Sequence, residues 1–437
     1  MEKVFRDPVH SMMGFDREEE RLILSLVETR EVQRLRDIKL LGVGYFSYPG
    51  AEHSRFAHSL GVAYLMKRAI ERIESLGREP QFRRVAREIG GYKELLITTA
   101  LLHDLGHFPF SHLLEEYIGE PHEVWTIKVI LDRETEVHRI LKEADPGYPE
   151  GIEAILERRF KPSFAVKLIS SQLDVDRMDY LLRDSLYTGA RYGNFDIDWL
   201  IHSLRIIEVD GDYELALDRA KGSRVAEEYL LARYYMYQQV YHHKRSRAAG
   251  MMVRKILARA AELLCEGETL FVTEPLRRLL IDRESFTVRD HLELDDVVLG
   301  FAIKQWEGSR DPILSDLCRR LLGGRIFETL EIDLRRYLEL QEELQRLVAA
   351  HGLDPRYYLE IDSASDNPYT DAYFAKSRVG ENIFLVDAEK SAGSDQLVEL
   401  STVSELIAAI RNREIGTSRL CFPGELERDI IKLVRLR

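Results

Sequence analysis

The chain has 437 residues, of which 45% are hydrophobic, so it can bury one large core and a smaller one. Its 62 Lys and Arg residues and 75 Asp and Glu residues give a net charge of −13, which argues against a broad basic surface for nucleic acid or anionic lipid. Three widely spaced cysteines, no apolar leader and no run of membrane-spanning length predict a cytoplasmic protein that does not enter membranes.

The amino-terminal third of the chain predicts helices joined by short polar loops. Residues 3–15 are expected to be extended or turn-like because they contain Pro8 and Gly14, and residues 42–54 are expected to form a loop. Apolar residues at helical spacing predict the other elements of this region. These are helices at about 17–27, 28–41, from residue 55 onward, 92–105, 111–118, 121–132 and 151–159.

One predicted helix ends in a group of polar side chains. Residues 95–102 are apolar or small, and the segment after them contains His103, Asp104, His107 and His112. Burying an imidazole and a carboxylate is costly unless each has a partner, and a divalent cation can serve both. Neighbouring side chains on a helix differ in direction by about 100°, so other segments must complete a site that His103 and Asp104 share.

The same segment has a second interpretation, in which His103 and Asp104 form a buried pair that caps the helix. The density of histidine favours the metal site, since seven of the 13 histidines lie in the first 122 residues. Gly106 and Pro109 are expected to stop the helix and to leave the two later histidines on a loop at the mouth of a pocket.

The middle of the chain carries two more polar groups on predicted helices. A helix at about 172–183 presents side chains that either face solvent or line a site: Asp176, Arg177, Tyr180 and Asp184. A hairpin is predicted at 204–217 and a helical region at 222–264. That region contains Arg233 and the polar run 241–245, which are either a solvated basic face or a phosphate clamp.

The carboxyl-terminal part of the sequence changes in character. Residues 286–350 predict helices with a strand near 324–331, and short β-rich runs follow Gly352. Strands are expected at 357–361, 383–386, 397–400 and 418–422, with a helix at 403–412 and another at the terminus. A boundary is therefore placed near 352, which divides the chain into residues 1–351 and 352–437.

Together these motifs resemble those of the HD-domain deoxynucleoside triphosphate triphosphohydrolases. They are spread over residues 3–250: Asp7-Pro8-Val9-His10, Gln33-Arg34-Leu35-Arg36, Tyr48-Pro49-Gly50-Ala51, residues 55–62, residues 103–112, Asp174-Val175-Asp176 and Tyr241-x-His243-Lys244. The resemblance implies a mainly α fold, with an HD-domain helical core in residues 1–351 and a small α+β carboxyl-terminal region. It also implies a homo-oligomer, with a tetramer favoured.

The resemblance further implies a metal-dependent hydrolysis of deoxynucleoside triphosphates (dNTPs). Water would attack the α-phosphorus and release a deoxynucleoside and inorganic triphosphate. The implied ligands suit Fe, Mn, Zn, Co or Ni, with Mg accompanying the nucleotide, and they are His58, His103, Asp104 and Asp176. Arg55 would hold the α-phosphate, His112 would protonate the departing 5′ oxygen, and His107 and His122 would line the same pocket.

Five positions match the family's contacts to the rest of the substrate. Arg177, Tyr180 and Arg233 match residues that hold the β- and γ-phosphates, a task that suits the arginine fork. Tyr241 matches the ring that packs against the sugar where a 2′-hydroxyl would project. Asp184 matches the contact to the 3′-hydroxyl.

Two positions depart from the family pattern. Leu40 replaces a glutamine that faces the 3′-hydroxyl, and His242 replaces a glutamine near the base. The sequence therefore leaves the sugar and base preference open, whereas the phosphate and metal positions match.

Another group of residues resembles the family's guanine-nucleotide activator site, in which a carboxylate reads the guanine edge. Its members are Lys3, Val4, Glu28, Gln33 and Arg36. The alternative is that these five residues are ordinary surface positions of a strand and a helix.

Two other functions stay open from the sequence. An enzyme with the same metal set could release orthophosphate from nucleotides or cleave a phosphodiester, and it would differ from the first by its product. A catalytically inert nucleotide sensor is the alternative of another class. The joint presence of the metal set with Arg55, His107 and His112 weighs against a sensor.

Overall fold

The computed structural model describes residues 1–209, 211–366, 382–387, 397–413 and 415–436. The predicted mainly α fold is confirmed, with small sheets beside the helices and in the carboxyl-terminal region. Within the described ranges, no helix combines the length and apolar character needed to cross a bilayer.

The first half of the chain is a bundle of helices behind a short hairpin of strands β1 (Glu2–Asp7) and β2 (Ser11–Asp16). Its helices are α1 (Arg21–Val27), α2 (Arg30–Arg34), α3 (Arg55–Leu76), α4 (Arg83–Gly90), α5 (Lys93–Leu102), α6 (His112–Ile118), α7 (His122–Leu131), α8 (Glu136–Ala144), α9 (Tyr148–Leu156), α10 (Ser163–Ile169), α11 (Val175–Thr188) and α12 (Ile197–Ser203). Helix α3 lies at the centre, where it packs against α5 and α11.

The second half continues from the predicted hairpin, which forms strands β3 (Leu204–Val209) and β4 (Asp212–Asp218). The helices that follow are α13 (Arg219–Met236), α14 (Lys244–Cys265), α15 (Glu274–Ile281), α16 (Val288–Leu292), α17 (Asp296–Trp306), α18 (Pro312–Leu322), α19 (Leu334–Ala350), α20 (Pro355–Tyr358), α21 (Glu405–Ile410) and α22 (Glu427–Leu436). The remaining strands are β5 (Glu328–Glu331), β6 (Glu360–Asp366), β7 (Phe384–Val386), β8 (Val398–Glu399) and β9 (Ile415–Phe422).

Strands from the end of the chain join elements formed much earlier. Strand β7 pairs in parallel with β4, so that Ala216 lies opposite Phe384, and β8 pairs with β7. Strand β9 lies between β5 and β6 in a second, antiparallel sheet. Strands from both sides of residue 352 therefore share sheets, and the division of the chain at that residue stays a prediction.

Several predicted boundaries are wrong because tertiary contacts end or break the elements. The helix predicted at 28–41 ends at Arg34 and one 3₁₀ turn, since Ile38 is extended and Lys39 bridges to Ser54. The region 222–264 is interrupted by a π-helical turn at Tyr237–Tyr241. Residues 357–361 do not form a single strand, because Asp354 caps α20 and Pro355 occupies its first turn.

A buried ionic network fastens the hairpin to the helical core. On α11, Asp179 contacts the imidazoles of His10 at 2.6 Å and His58 at 2.7 Å, and accepts two hydrogen bonds from Arg183. The guanidinium of Arg183 also donates to Asp7 at 2.8 Å. Burying these charges is tolerable because each one is paired and hydrogen-bonded.

The network leaves no room at Gly61, which lies on α3 beside it. A Cβ atom there would stand 1.9 Å from Asp179 Oδ1 and 2.6 Å from the Arg183 guanidinium. Both groups are locked by their ion pairs, so Gly61 serves the close approach of α3 and α11.

We expect Gly61→Ala to lower the free energy of unfolding by about 1–3 kcal/mol, because overpacking beside a rigid network costs stability. Gly300→Ala is the matched control, since Gly300 lies in α17 with open space around its Cα. That variant should be more stable by up to about 1 kcal/mol, the helix-propensity gain. Thermal unfolding midpoints measure both changes, and equal midpoints would show that Asp179 can move aside.

Candidate metal centre

His58 reaches the candidate centre from the first turn of α3, and Asp176 from the first turn of α11. His58 Nε2 lies 3.0 Å from Asp176 Oδ1, while His58 Nδ1 lies 2.7 Å from Asp179. Burial lowers the pKa of His58, but Asp176 and Asp179 outweigh it and raise that pKa to about 10. Asp179 thus fixes the ring so that Nε2 faces the centre, as a carboxylate behind a metal-ligating histidine does.

His103 contributes a buried nitrogen with no partner. Its Nδ1 donates to the carbonyl of Ala100 at 2.8 Å, so Nε2 is the ring nitrogen that faces the centre. This Nε2 is buried and has no hydrogen-bond partner among the described residues. It lies 3.3 Å from Asp104 Oδ1 and 3.6 Å from Asp176 Oδ1. An orphaned buried acceptor between two carboxylates is what a cation site requires.

Asp104 closes the group. Its Oδ2 accepts from Arg55 at 2.6 Å and lies 3.7 Å from His58 Nε2. Burial would raise the pKa of Asp104, but His103 and Arg55 hold that pKa well below its usual value, so the side chain is ionised. Nitrogen and oxygen atoms of His58, His103 and Asp176 lie within 4.8 Å of one another, and two imidazoles with two carboxylates fit a divalent cation.

The expected role of Gly106 and Pro109 is wrong. Helix α5 already ends at Leu102, so His103 caps it, and Gly106 serves packing instead. A Cβ atom on Gly106 would stand 2.1 Å from the carbonyl of His122 on α7. The loop after α5 is therefore pressed against α7.

The expectation that His107 and His112 lie on a loop at the mouth of the pocket is confirmed for the loop position of His107 and wrong for His112. His107 is buried because α7 covers its loop, whereas His112 is the first residue of α6 and about two thirds of its side chain is exposed.

A carboxylate that the sequence analysis missed binds three histidines. Glu115 contacts Nδ1 of His107 at 2.5 Å, of His112 at 3.1 Å and of His122 at 3.1 Å. Burial would raise the pKa of Glu115, but the three imidazoles hold it well below its usual value. The sequence did contain a signal for Glu115, since it lies three residues after His112 and two residues at that spacing share one face of a helix.

His107 connects this histidine group to the metal centre. Burial and the nearby Arg55 lower the pKa of His107 to about 3, so its ring is neutral. The short contact to Glu115 assigns its proton to Nδ1, which leaves Nε2 as an acceptor 3.2 Å from Asp104 Oδ1. Two acceptors at that distance need a proton or a cation between them.

The centre opens into a pocket of about 450 Å³. Its lining includes the metal-centre residues His58, Asp104 and Asp176, and these predicted contacts: Leu40, Arg55, His107, His112, His122, Tyr180, Asp184, Tyr241 and His242. Tyr241 projects from the π-helical turn and donates to Asp184 Oδ2 at 2.9 Å. The other oxygen of Asp184 contacts His53 at 2.7 Å, so this carboxylate is fixed from two sides.

Two predicted phosphate contacts lie behind the pocket wall. Arg177 donates to the carbonyl of Ser171 and pairs with Asp174, and Arg233 donates to Gln172 at 2.5 Å. Neither is among the residues that line the pocket in the described part of the chain. Each nevertheless has a buried Nε–H group for which the described residues provide no partner.

Two other arginines, which the sequence analysis missed, line the pocket. These are Arg247 and Arg254 of α14, and both pair with Glu116. They lie two and nine residues beyond the polar run 241–245.

The predicted activator residues are on the surface in two groups. Lys3 and Val4 are exposed on β1, and Glu28 is exposed just after α1. Arg36 donates to Gln33 at 2.7 Å and stacks 3.6 Å above the Phe56 ring centroid. No hydrogen bond or ion pair joins the strand residues to the helix residues in the described ranges of this single chain.

Residues 55–184 match the HD domain, and residues 195–329 match the HD associated region. Uncharacterized protein YwfO of Bacillus subtilis is 37% identical over 425 residues, which cover 97% of this chain and 93% of that protein. The chain therefore belongs to the HD-domain phosphohydrolase family.

Relatives that are named for an enzymatic activity are less similar to this chain in sequence than YwfO is. Deoxynucleoside triphosphate triphosphohydrolase SAMHD1 of Mus musculus is 29% identical over 393 residues, which cover 79% of this chain and 57% of that enzyme. The crystal structure of Phosphohydrolase (BT4208) from Bacteroides thetaiotaomicron superposes with a TM-score of 0.78 at 29% identity, over 97% of this chain and all of that chain.

We predict that His103→Ala lowers bound metal in the purified protein by at least about tenfold. Removal of a residue that only hydrogen-bonds to a metal ligand already lowers metal affinity by that factor, and this change removes a ligand itself. Elemental mass spectrometry measures the content. The matched control is His202→Ala, which alters an exposed histidine that stacks on Trp199 and should leave the metal content unchanged. Full occupancy in the His103 variant would remove His103 from the ligand set.

Proposed function

We propose that the protein hydrolyses dNTPs to a deoxynucleoside and inorganic triphosphate. The observation that carries the proposal is the unpartnered Nε2 of His103, which faces Asp104 and Asp176 at a pocket that also contains the Tyr241–Asp184 pair. The first feature provides a place for a cation, and the second provides a place for a sugar. The similarity to enzymes named deoxynucleoside triphosphate triphosphohydrolases supports the same conclusion.

His58, His103, Asp104 and Asp176 would hold a divalent cation, which would neutralise phosphate charge and lower the pKa of the attacking water. Arg55 is buried beside Asp104 and keeps its guanidinium at the centre through a further hydrogen bond to Ser111 at 2.8 Å. This fixed cation stabilises charge that develops on the α-phosphate.

Proton transfer falls to the histidine group. The neutral Nε2 of His107 accepts a hydrogen bond from the attacking water, and Glu115 holds the ring in that tautomer. His112 lines the pocket and contacts Glu115 through its Nδ1, and its Nε2 would donate a proton to the departing 5′ oxygen. The ring of His122 stacks on that of His107 at 3.7 Å and fixes its plane.

The remaining contacts select the substrate. Tyr241 packs where a 2′-hydroxyl would project and Asp184 accepts from the 3′-hydroxyl, which favours deoxyribose. Tyr180 lines the pocket, whereas Arg177 and Arg233 lie behind its wall and would hold the β- and γ-phosphates after their guanidinium groups turn into it. Leu40 and His242 would meet the 3′-hydroxyl side and the base.

Incubation of metal-loaded protein with mixed dNTPs, followed by ion-exchange separation, tests the proposal by its product. Inorganic triphosphate and deoxynucleosides are expected. Orthophosphate would instead indicate the alternative phosphohydrolase, and unchanged nucleotides with and without GTP would indicate a sensor.

In the same assay, His112→Ala should retain its metal and lose about 10²–10⁴-fold in kcat, the contribution of a general acid.

We further propose that a guanine nucleotide bound at Lys3, Val4, Glu28, Gln33 and Arg36 activates the enzyme by joining neighbouring subunits into a tetramer. Because the two groups of residues are not bonded within one chain, a ligand that contacts both stabilises the assembly that presents them together. The exposed carboxylate of Glu28 would accept from the guanine N1 and N2 hydrogens.

Activation should therefore appear as faster hydrolysis of the other dNTPs when GTP or dGTP is added, together with a larger species in analytical ultracentrifugation. Glu28→Ala should remove both effects while leaving the metal in place. Glu143→Ala, on α8, is a surface-charge control that should respond as the parent protein does. Equal rates and an unchanged oligomer with and without guanine nucleotide would contradict the activator site and show that these five are ordinary surface residues.

A further inference from the structure

Asp296, the first residue of α17, is a buried carboxylate that the proposed chemistry does not use. It lies in the HD associated region, outside the HD domain. Its Oδ1 accepts from the backbone N–H of Phe110 at 2.7 Å, and its Oδ2 accepts from the backbone N–H of Lys39 at 2.9 Å. One side chain thus joins two loops that are distant in sequence and adjacent at the pocket.

The first of these loops is held in an unusual backbone conformation. Phe110 has φ of 57° and Ser111 has φ of 58°, a backbone region that residues other than glycine rarely occupy. Gly42 also lies against this loop, where a Cβ atom would stand 2.6 Å from the Phe110 carbonyl. Asp296 and Gly42 therefore both contact the backbone of Phe110, one at its N–H group and the other at its carbonyl group.

The confined loop sets the position of the histidine group. Ser111 is the residue before α6, so its conformation fixes where His112 begins the helix. The Ser111 hydroxyl donates to the carbonyl of Lys39 at 2.7 Å and accepts from Arg55 at 2.8 Å. The second loop leads from Lys39 directly to Leu40 in the pocket wall.

We propose that Asp296 is a positioning residue that holds the Phe110–Ser111 loop, and through it His112, in the geometry for proton donation. The proposal rests on the proposed function for the role of His112. The positioning itself is a property of the fold, and it can be measured without turnover. It assigns the HD associated region a part in building the active site.

The charge state of Asp296 supports this role. Burial raises its pKa to about 6, and Asp295 adds to that rise while Lys39 opposes it. Arg34 and Tyr45 are the other titratable groups that sense its charge. A folded-state pKa above the unfolded value means that the free energy of unfolding falls as pH rises through the window from about 4 to 6. At neutral pH the carboxylate is therefore ionised, and both of its oxygens can accept the two backbone N–H groups.

The test compares Asp296→Asn with Asp295→Asn in the metal-loaded protein. An asparagine at 296 keeps the shape but offers one acceptor, so one of the two N–H groups loses its partner. Asp295 caps α17 through Val298, and asparagine caps a helix equally well, so its variant should match the parent. For Asp296→Asn we expect kcat to fall about 10–100-fold, with unchanged metal content and a KM within about threefold.

Hydrogen–deuterium exchange provides the readout that is independent of activity. Peptides covering residues 37–41 and 108–113 should exchange faster in Asp296→Asn than in Asp295→Asn, with thermal midpoints at pH 7.5 within a few degrees of the parent. Parental exchange and kcat in Asp296→Asn would overturn the proposal. If the parent protein proves not to hydrolyse dNTPs, the proposed function fails, while the exchange data still decide whether Asp296 holds the loop.

A second variant guards against misfolding of the first. Gly42→Ala places a Cβ atom 2.6 Å from the Phe110 carbonyl and is strained at its own φ of 51°, so it should raise exchange in the same loop and lower kcat, with its metal retained. If it loosens the loop without lowering kcat, the loop does not position His112 and the proposal is overturned.

Discussion

The burial of ionised groups around Asp179 is the constraint on which the rest of the structure depends. This carboxylate is fully buried and ionised, so it must be surrounded by donors, and it takes them from three separate segments: His10, His58 and Arg183. Burial alone would raise its pKa, but Arg183 and the two histidines hold that pKa well below the usual value. Any rearrangement of the hairpin, α3 or α11 would strand a charge in the interior. The metal centre is rigid because the buried ion pairs of Asp179 fix the helices that carry its residues.

The centre is built in layers from that anchor. Asp179 fixes the ring of His58, the carbonyl of Ala100 fixes that of His103, and Glu115 fixes those of the histidines beside the pocket. In each case a ring nitrogen that faces away from the centre is tied down, and the other is left for a ligand or a proton. Preorganisation of this kind lowers the cost of assembling the site when a substrate arrives.

The sequence predicted the helical class, the hairpin at 204–217 and a group of histidines and carboxylates that the structure brings together. Those features leave local signals, namely apolar periodicity and unusual polar residues in apolar runs. It did not predict that α5 ends at Leu102, nor that Glu115 and Asp296 contact the residues of the site. Each depends on segments that meet only in the folded chain, since Asp296 contacts loops some 190 and 260 residues away along the sequence. Periodicity carries no information about such meetings.

The parallel pairing of β7 with β4 bears on how the chain is made. Strand β4 leads straight into α13, through the hydrogen bonds of Asp218 to the first turn of that helix, and so towards the turn that carries Tyr241. During synthesis β4 emerges from the ribosome long before β7, and until then one of its edges has no partner. Exposed strand edges invite pairing with other chains, and contacts between distant segments form slowly. A nascent chain of this protein therefore carries an open sheet edge until the carboxyl-terminal segment arrives, which makes that interval the one in which a chaperone would serve it best.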